Sequence, residues 1–220
     1  MNQAVQKILD IIKQEYGHLD TILVFGSALT SDWTADSDID IFLIDDSLYD
    51  SRSEETIEEI TVEFQKDNFG NVTKDIEAER GNLLHRNVST MIATSQTIST
   101  KSPEKLNALI TLAKDVLASA PNYTDENVKM WRYSITDYLS KAKKDITRNN
   151  PLAFYLDTNY VLQNALEFSL ATHGTYMPQP KHLKELLQEK DPELYAIWQA
   201  YLSATDLDTK LQALTKLQTR

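Results

Sequence analysis

Two short stretches hold residue types suited to metal and phosphate. Phe25-Gly26-Ser27 is followed, after ten residues, by Asp38-Ile39-Asp40, which opens the apolar run Ile41-Phe42-Leu43-Ile44. Alternate side chains of a strand share a face, so Asp38 and Asp40 point one way and Ile39, Ile41 and Leu43 the other. Two carboxylates side by side in a partly dry place repel, and a divalent cation removes that cost. Oxygen-only ligation with room for water and phosphate suits Mg²⁺ better than zinc. The apolar run Thr21 to Phe25 breaks at Gly26-Ser27. A small-residue turn of this kind lets backbone N–H groups and a hydroxyl approach a phosphate.

The elements that must position these residues follow from periodicity. Val5, Ile8, Leu9 and Ile12 have helical spacing within residues 2–16, and Gly17 stands where that helix ends. Thr21 to Phe25 is a strand, Ala28 to Ser37 a loop containing Trp33, and Asp38 to Ile44 a second strand. Ser51-Arg52-Ser53-Glu54 resembles a capping box, and Ile57, Ile60 and Phe64 continue it as a helix returning across the sheet. Turn residues Asp67 to Asn71 precede Val72 to Glu79, which reads as a third strand with Asp75, Glu77 and Glu79 on one face. Leu84, Val88, Met91 and Ile92 form a helical stripe, and Thr97-Ile98-Ser99 a short final strand.

From Pro103 onward the pattern is helical throughout, punctuated at Pro121-Asn122, Asn149-Asn150-Pro151, Pro178 to Lys181 and Asp191-Pro192. The expectation is an α+β chain. Residues 1–120 form a mixed sheet flanked by helices, and residues 121–220 an all-α helical bundle.

Composition narrows the partners. A net charge of −11 over 220 residues argues against a long nucleic acid, whose backbone needs concentrated Lys and Arg. No segment approaches the roughly 18 apolar residues of a membrane span, and the N-terminus lacks a signal peptide's apolar centre. A cytoplasmic protein is expected, with no disulfides because there are no cysteines.

The pattern apolar-Gly-Ser, ten residues, Asp-apolar-Asp-apolar resembles the signature of the nucleotidyltransferase superfamily that includes DNA polymerase β and the aminoglycoside nucleotidyltransferases. The stretch His85 to Thr94 is similar to a segment of bacterial relatives with a helical second domain. Gly174-Thr175-Tyr176-Met177-Pro178-Gln179-Pro180-Lys181 resembles a stretch found in such bundles. The resemblance implies a nucleotidyltransferase of the EC 2.7.7 type. It would use one or two Mg²⁺ to move a nucleoside monophosphate, AMP from ATP, onto a hydroxyl of a small acceptor such as an aminoglycoside or lincosamide antibiotic.

On this resemblance Asp38 and Asp40 hold metal, Gly26, Ser27 and Lys181 bind triphosphate, and a third carboxylate is supplied by Glu77 or, failing it, Asp75. Many relatives carry a basic residue directly after the Gly-Ser pair, where this chain has Ala28. Protein adenylylation of a toxin and antitoxin type, and a catalytically silent nucleotide-binding module, stay open as alternatives, as does a homodimer.

Overall fold

The structure, a computed structural model, describes residues 2–219 apart from 32, 35 and 83. The chain divides into two units, residues 1–81 with 86–119 and residues 82–85 with 120–220. The architecture is α+β.

In the first unit, five strands, β1 (Thr21–Phe25), β2 (Ile39–Ile44), β3 (Ser51–Ile57), β4 (Ile60–Asp67) and β5 (Gln96–Thr100), make one sheet in the order β3-β4-β2-β1-β5. It is mixed: β2 and β4 run parallel, and the other neighbours antiparallel. Helix α1 (Gln3–Tyr16) starts at Asn2, whose side chain accepts from the Ala4 N–H at 2.8 Å, and its apolar stripe Val5, Ile8, Leu9 and Ile12 is buried. That stripe packs on Ile22, Val24, Ile39, Ile41, Leu43, Val62 and Phe64. The opposite face, Leu23, Phe42 and Ile44, is covered by α2 (Phe69–Glu79), α3 (Asn87–Thr94) and α4 (Pro103–Ala118). Both faces of β1 and β2 are therefore buried, which is why these strands read as unbroken apolar runs.

Two expected elements differ. The helix expected from Ser51 to Phe64 is the hairpin β3–β4, with Ile57 opposite Ile60. Val62 and Phe64 are buried while Glu63 between them is exposed, so the period is two. The tight turn is Glu58-Glu59, both at positive φ (51° and 69°). Such turns ordinarily use Asn or Gly, and the missing punctuation made Ile57, Ile60 and Phe64 look helical.

The strand expected from Val72 to Glu79 is helix α2. Asn68, read as a turn residue, is its N-cap, accepting from the Asn71 N–H at 2.9 Å. Phe69, Val72 and Ile76, spaced i, i+3 and i+7, are its buried stripe. Glu79 caps the next helix, accepting from the N–H groups of Val88 and Ser89 (2.7 and 2.9 Å) and from the Ser89 hydroxyl (2.6 Å).

The second unit is helical: α5 (Asp125–Thr147), α6 (Pro151–Thr172), α7 (Leu183–Lys190), α8 (Pro192–Ser203) and α9 (Leu207–Thr215). A reciprocal capping box between Thr124 and Asn127 starts α5. The core joins Trp131, Ile135, Leu139, Val161, Leu166, Leu170, Leu187, Leu194, Ile197 and Leu214. Leu84 packs in this core, and its carbonyl accepts from the Met177 N–H at 3.0 Å. Among the described residues no helix is long and apolar enough to cross a membrane.

Candidate metal and phosphate site

The end of β1 and the start of β2 meet by antiparallel pairing, which sets Phe25 opposite Asp40. Gly26 follows at φ +72°, a conformation costly for any residue with a side chain. Space is a second constraint. A Cβ on Gly26 would lie 2.2 Å from the Asp40 Oδ2 atom and 3.2 Å from its carboxyl carbon. Glycine is thus required here because the Asp40 carboxylate lies where any side chain would begin.

Residues Gly26–Leu29 form one short 3-10 turn, closed by the Thr30 N–H and hydroxyl, which donate to the Ser27 carbonyl at 2.9 and 3.0 Å. The Ser27 side chain is half-buried and its hydroxyl has no hydrogen-bond partner among the described residues. Ala28 points into the core beside α1 and is 3% exposed. A lysine or arginine there would have to bury its charge, so any basic contact with phosphate must come from another position. Trp33, half-buried, packs against the same core. Residues 32 and 35 of the expected loop lie outside the described residues.

The third carboxylate comes from β4. Parallel pairing of β2 with β4 sets Asp40 beside Glu63. Oxygen atoms of Asp38, Asp40 and Glu63 all lie within 4.8 Å of one another. The two aspartates are half-buried and Glu63 is exposed. Among the described residues no other three His, Asp or Glu groups come together in this way. Neither Asp38 nor Glu63 has an ion-pair or hydrogen-bond partner among the described residues. Three carboxylates converging within this distance fit a hard divalent cation, and the all-oxygen set suits Mg²⁺ or Mn²⁺.

Glu77 and Asp75 stand elsewhere. Both are exposed on α2, and neither belongs to the set formed with Asp38 and Asp40. Partial burial raises the Asp75 pKa, and the nearby charges of Asp67, Asp50 and Glu79 push it the same way. The expected one-face alignment of 75, 77 and 79 presupposed a strand. On a helix, positions two apart point in different directions. The signal for Glu63 was present as the alternation Ile60-Thr61-Val62-Glu63-Phe64-Gln65, obscured by the assignment of a helix there.

Lys181 lies exposed on the short turn Pro180–His182 of the second unit. Arg86 is 2% exposed, within the first unit. Lys101 donates from Nζ to the His18 carbonyl, tying the end of β5 to the loop after α1. Beside Asp40 and Glu63 lies a cleft of about 390 Å³ whose walls include Phe25, Gln65 and Met91.

Residues 5–81 match the family model described as nucleotidyltransferase domain, a span containing Gly26, Ser27, Asp38, Asp40 and Glu63. No curated protein matches the chain. Among solved structures, the chain is similar to a nucleotidyltransferase-like protein from Exiguobacterium sibiricum 255-15. The TM-score is 0.52 and the identity 14%, over 98% of this chain and 73% of that one, which is a likeness of fold.

Proposed function

Taking as premise that residues 5–81 belong to the nucleotidyltransferase domain family, we propose that the chain moves a nucleoside monophosphate, AMP from ATP, onto a hydroxyl of a small acceptor. The observation that carries this reading is the Gly26–Asp40 contact, with Glu63 delivered to the same place by the β2–β4 register. A turn whose glycine is dictated by a carboxylate beside it brings a phosphate-binding backbone against a metal-binding side chain.

Asp38, Asp40 and Glu63 would hold one or two Mg²⁺. When bound, the metal lowers the charge repulsion between the triphosphate and an incoming oxygen. The chain's own residues do the rest. Backbone groups of Gly26 and Ser27, with the Ser27 hydroxyl, orient the β- and γ-phosphates. Glu63 is the third carboxylate in the place first assigned to Glu77 or Asp75, and it receives the acceptor proton, a task that needs hydrogen-bond reach. Half-burial of Asp38 and Asp40 limits their rotamers, so the cluster is preorganised.

The aminoglycoside or lincosamide class rests on resemblance alone. The test is pyrophosphate release from ATP with Mg²⁺ over a library of hydroxylated small molecules, beside Asp38→Ala and Asp40→Ala controls. Turnover that needs both aspartates supports the reading. Absence of Mg²⁺-dependent stabilisation by ATP analogues, together with absence of turnover, overturns it.

A further inference from the structure

The line of residues holding Asp40 and Glu63 continues across the sheet. Phe25 pairs with Asp40, Asp40 with Glu63, and Glu63 with Glu54 of β3. Paired residues on neighbouring strands share a face, so these four side chains form one row. The next row is Leu23, Phe42, Gln65 and Arg52. Leu23 and Phe42 are sealed under helices, whereas Gln65, Arg52 and Glu54 line the cleft beside Asp40 and Glu63.

The charges in this cleft are arranged at a cost. Glu54 stands directly opposite Glu63, and like charges so placed destabilise a hairpin. Arg52, two residues away on the same face and roughly 7 Å along the strand, has the sign to relieve this. It does not do so. Neither Arg52 nor Glu54 has an ion-pair or hydrogen-bond partner among the described residues. Glu54 and Arg52 of β3 thus face the same cavity as Asp40 and Glu63, with Phe25 and Met91 as its apolar wall. Charged residues on an edge strand also discourage sheet-to-sheet pairing, but that role is indifferent to what enters the cleft.

We propose that this wall is the acceptor subsite and that it selects a small hydroxylated zwitterion. The acceptor's ammonium group meets Glu54, its carboxylate meets the Arg52 guanidinium, and its hydroxyl lies at Glu63. Arginine presents a two-pronged donor set matched to a carboxylate. Arg52 and Glu54 are both exposed, and a ligand with only one charge would pair with one of them and leave the other without a counter-ion, so discrimination arises from both sides.

The inference rests on the nucleotidyl-transfer reading above. In that step the acceptor oxygen bonds to the α-phosphorus. The bond from that phosphorus to the α,β-bridging oxygen breaks, its electron pair leaves with pyrophosphate, and the hydroxyl proton passes to Glu63.

Three matched probes test it: homoserine carries both charges, 3-aminopropan-1-ol the cation alone, and 4-hydroxybutanoate the anion alone. Each is titrated onto the full chain by calorimetry, with Mg²⁺ and α,β-methylene-ATP and again with Mg²⁺ only. Homoserine is expected to bind at least tenfold more tightly than either single-charge probe. Arg52→Gln should erase its advantage over the amino alcohol, and Glu54→Gln its advantage over the hydroxy acid. Equal binding of all three, tightest binding of a single-charge probe, no binding of any, or a preference that survives both substitutions overturns the proposal. Thermal stabilisation by Mg²⁺ with the ATP analogue judges nucleotidyl transfer separately. Its loss would sink that reading while the rank order of the probes with Mg²⁺ alone still decides the subsite.

Discussion

The sheet unit and the helical unit place their polar groups by different means. In the sheet unit, carboxylates converge where strand register leaves no alternative: Asp40 beside Glu63, and Gly26 against Asp40. In the helical unit, Asp191 and Trp131 direct their polar groups to the fold. Asp191 caps α8 by accepting from the Leu194 N–H at 3.0 Å and also accepts from the Ser169 hydroxyl. Trp131 donates from Nε1 to Glu167 at 3.1 Å, and Tyr138 stacks on Tyr160 at 4.8 Å. The difference teaches that carboxylates converging on one point mark chemistry, whereas polar groups satisfied by caps and cross-helix bonds mark architecture.

The sharpest way to break this contrast is to exchange carboxylates between the two settings. Asp40→Asn and Glu63→Gln should each lower Mg²⁺-dependent pyrophosphate release by about 10²- to 10³-fold. Glu77→Gln and Asp75→Asn, on α2, should stay within about twofold because those side chains are exposed and outside the cluster. A loss with Glu77→Gln as large as that with Glu63→Gln would return the third carboxylate to α2.

In the helical unit the large effect is on stability. Leu139→Ala, at a site 3% exposed in the core, should cost about 2–5 kcal/mol in denaturant melts. A cost under about 1 kcal/mol would mean that this core is not packed as described. Gly26→Ala joins the two kinds of measurement. The strained φ and the Asp40 contact predict about 1–3 kcal/mol of destabilisation together with loss of turnover. Unchanged activity in this variant would show that Asp40 need not lie against the turn.

The smallest effect concerns pH. The Asp157 carboxyl on α6 is raised from its ordinary value, first because it is partly buried, then through its hydrogen bond with Asp145 and the charges of Asp145 and Asp137, with Lys141 acting in the opposite direction. A group whose folded pKa is raised lends stability that is complete below its unfolded value, about 4, and lost as pH rises through the folded value. Asp157→Asn should therefore raise the melting temperature at pH 7 and flatten its decline through the acidic range. A melting temperature at pH 7 that falls on substitution would contradict the assignment.

Legibility in the sequence followed the range of the forces involved. Strands β1 and β2 were visible because burial on both faces makes them continuous apolar runs. Helix α1 and the helical unit were visible because their stripes repeat every three or four residues. The β3–β4 hairpin was not, since Glu58 and Glu59 hold a positive-φ turn with residues that seldom adopt it. Helix α2 was misread because its cap residue Asn68 looks like ordinary turn punctuation.

What the sequence determined by itself is local: a glycine-serine turn, two aspartates on one face of a strand, and an acidic chain whose second half is helical. The tertiary structure alone decided which carboxylate joins them, because β2 and β4 pair in parallel although β3 lies between them in the chain, and no local rule specifies that register. It also decided why residue 26 is glycine. Beyond the freedom to adopt positive φ, the reason is the Asp40 carboxylate 2.2 Å from where a Cβ would stand, a contact made only when two strands distant along the chain lie side by side.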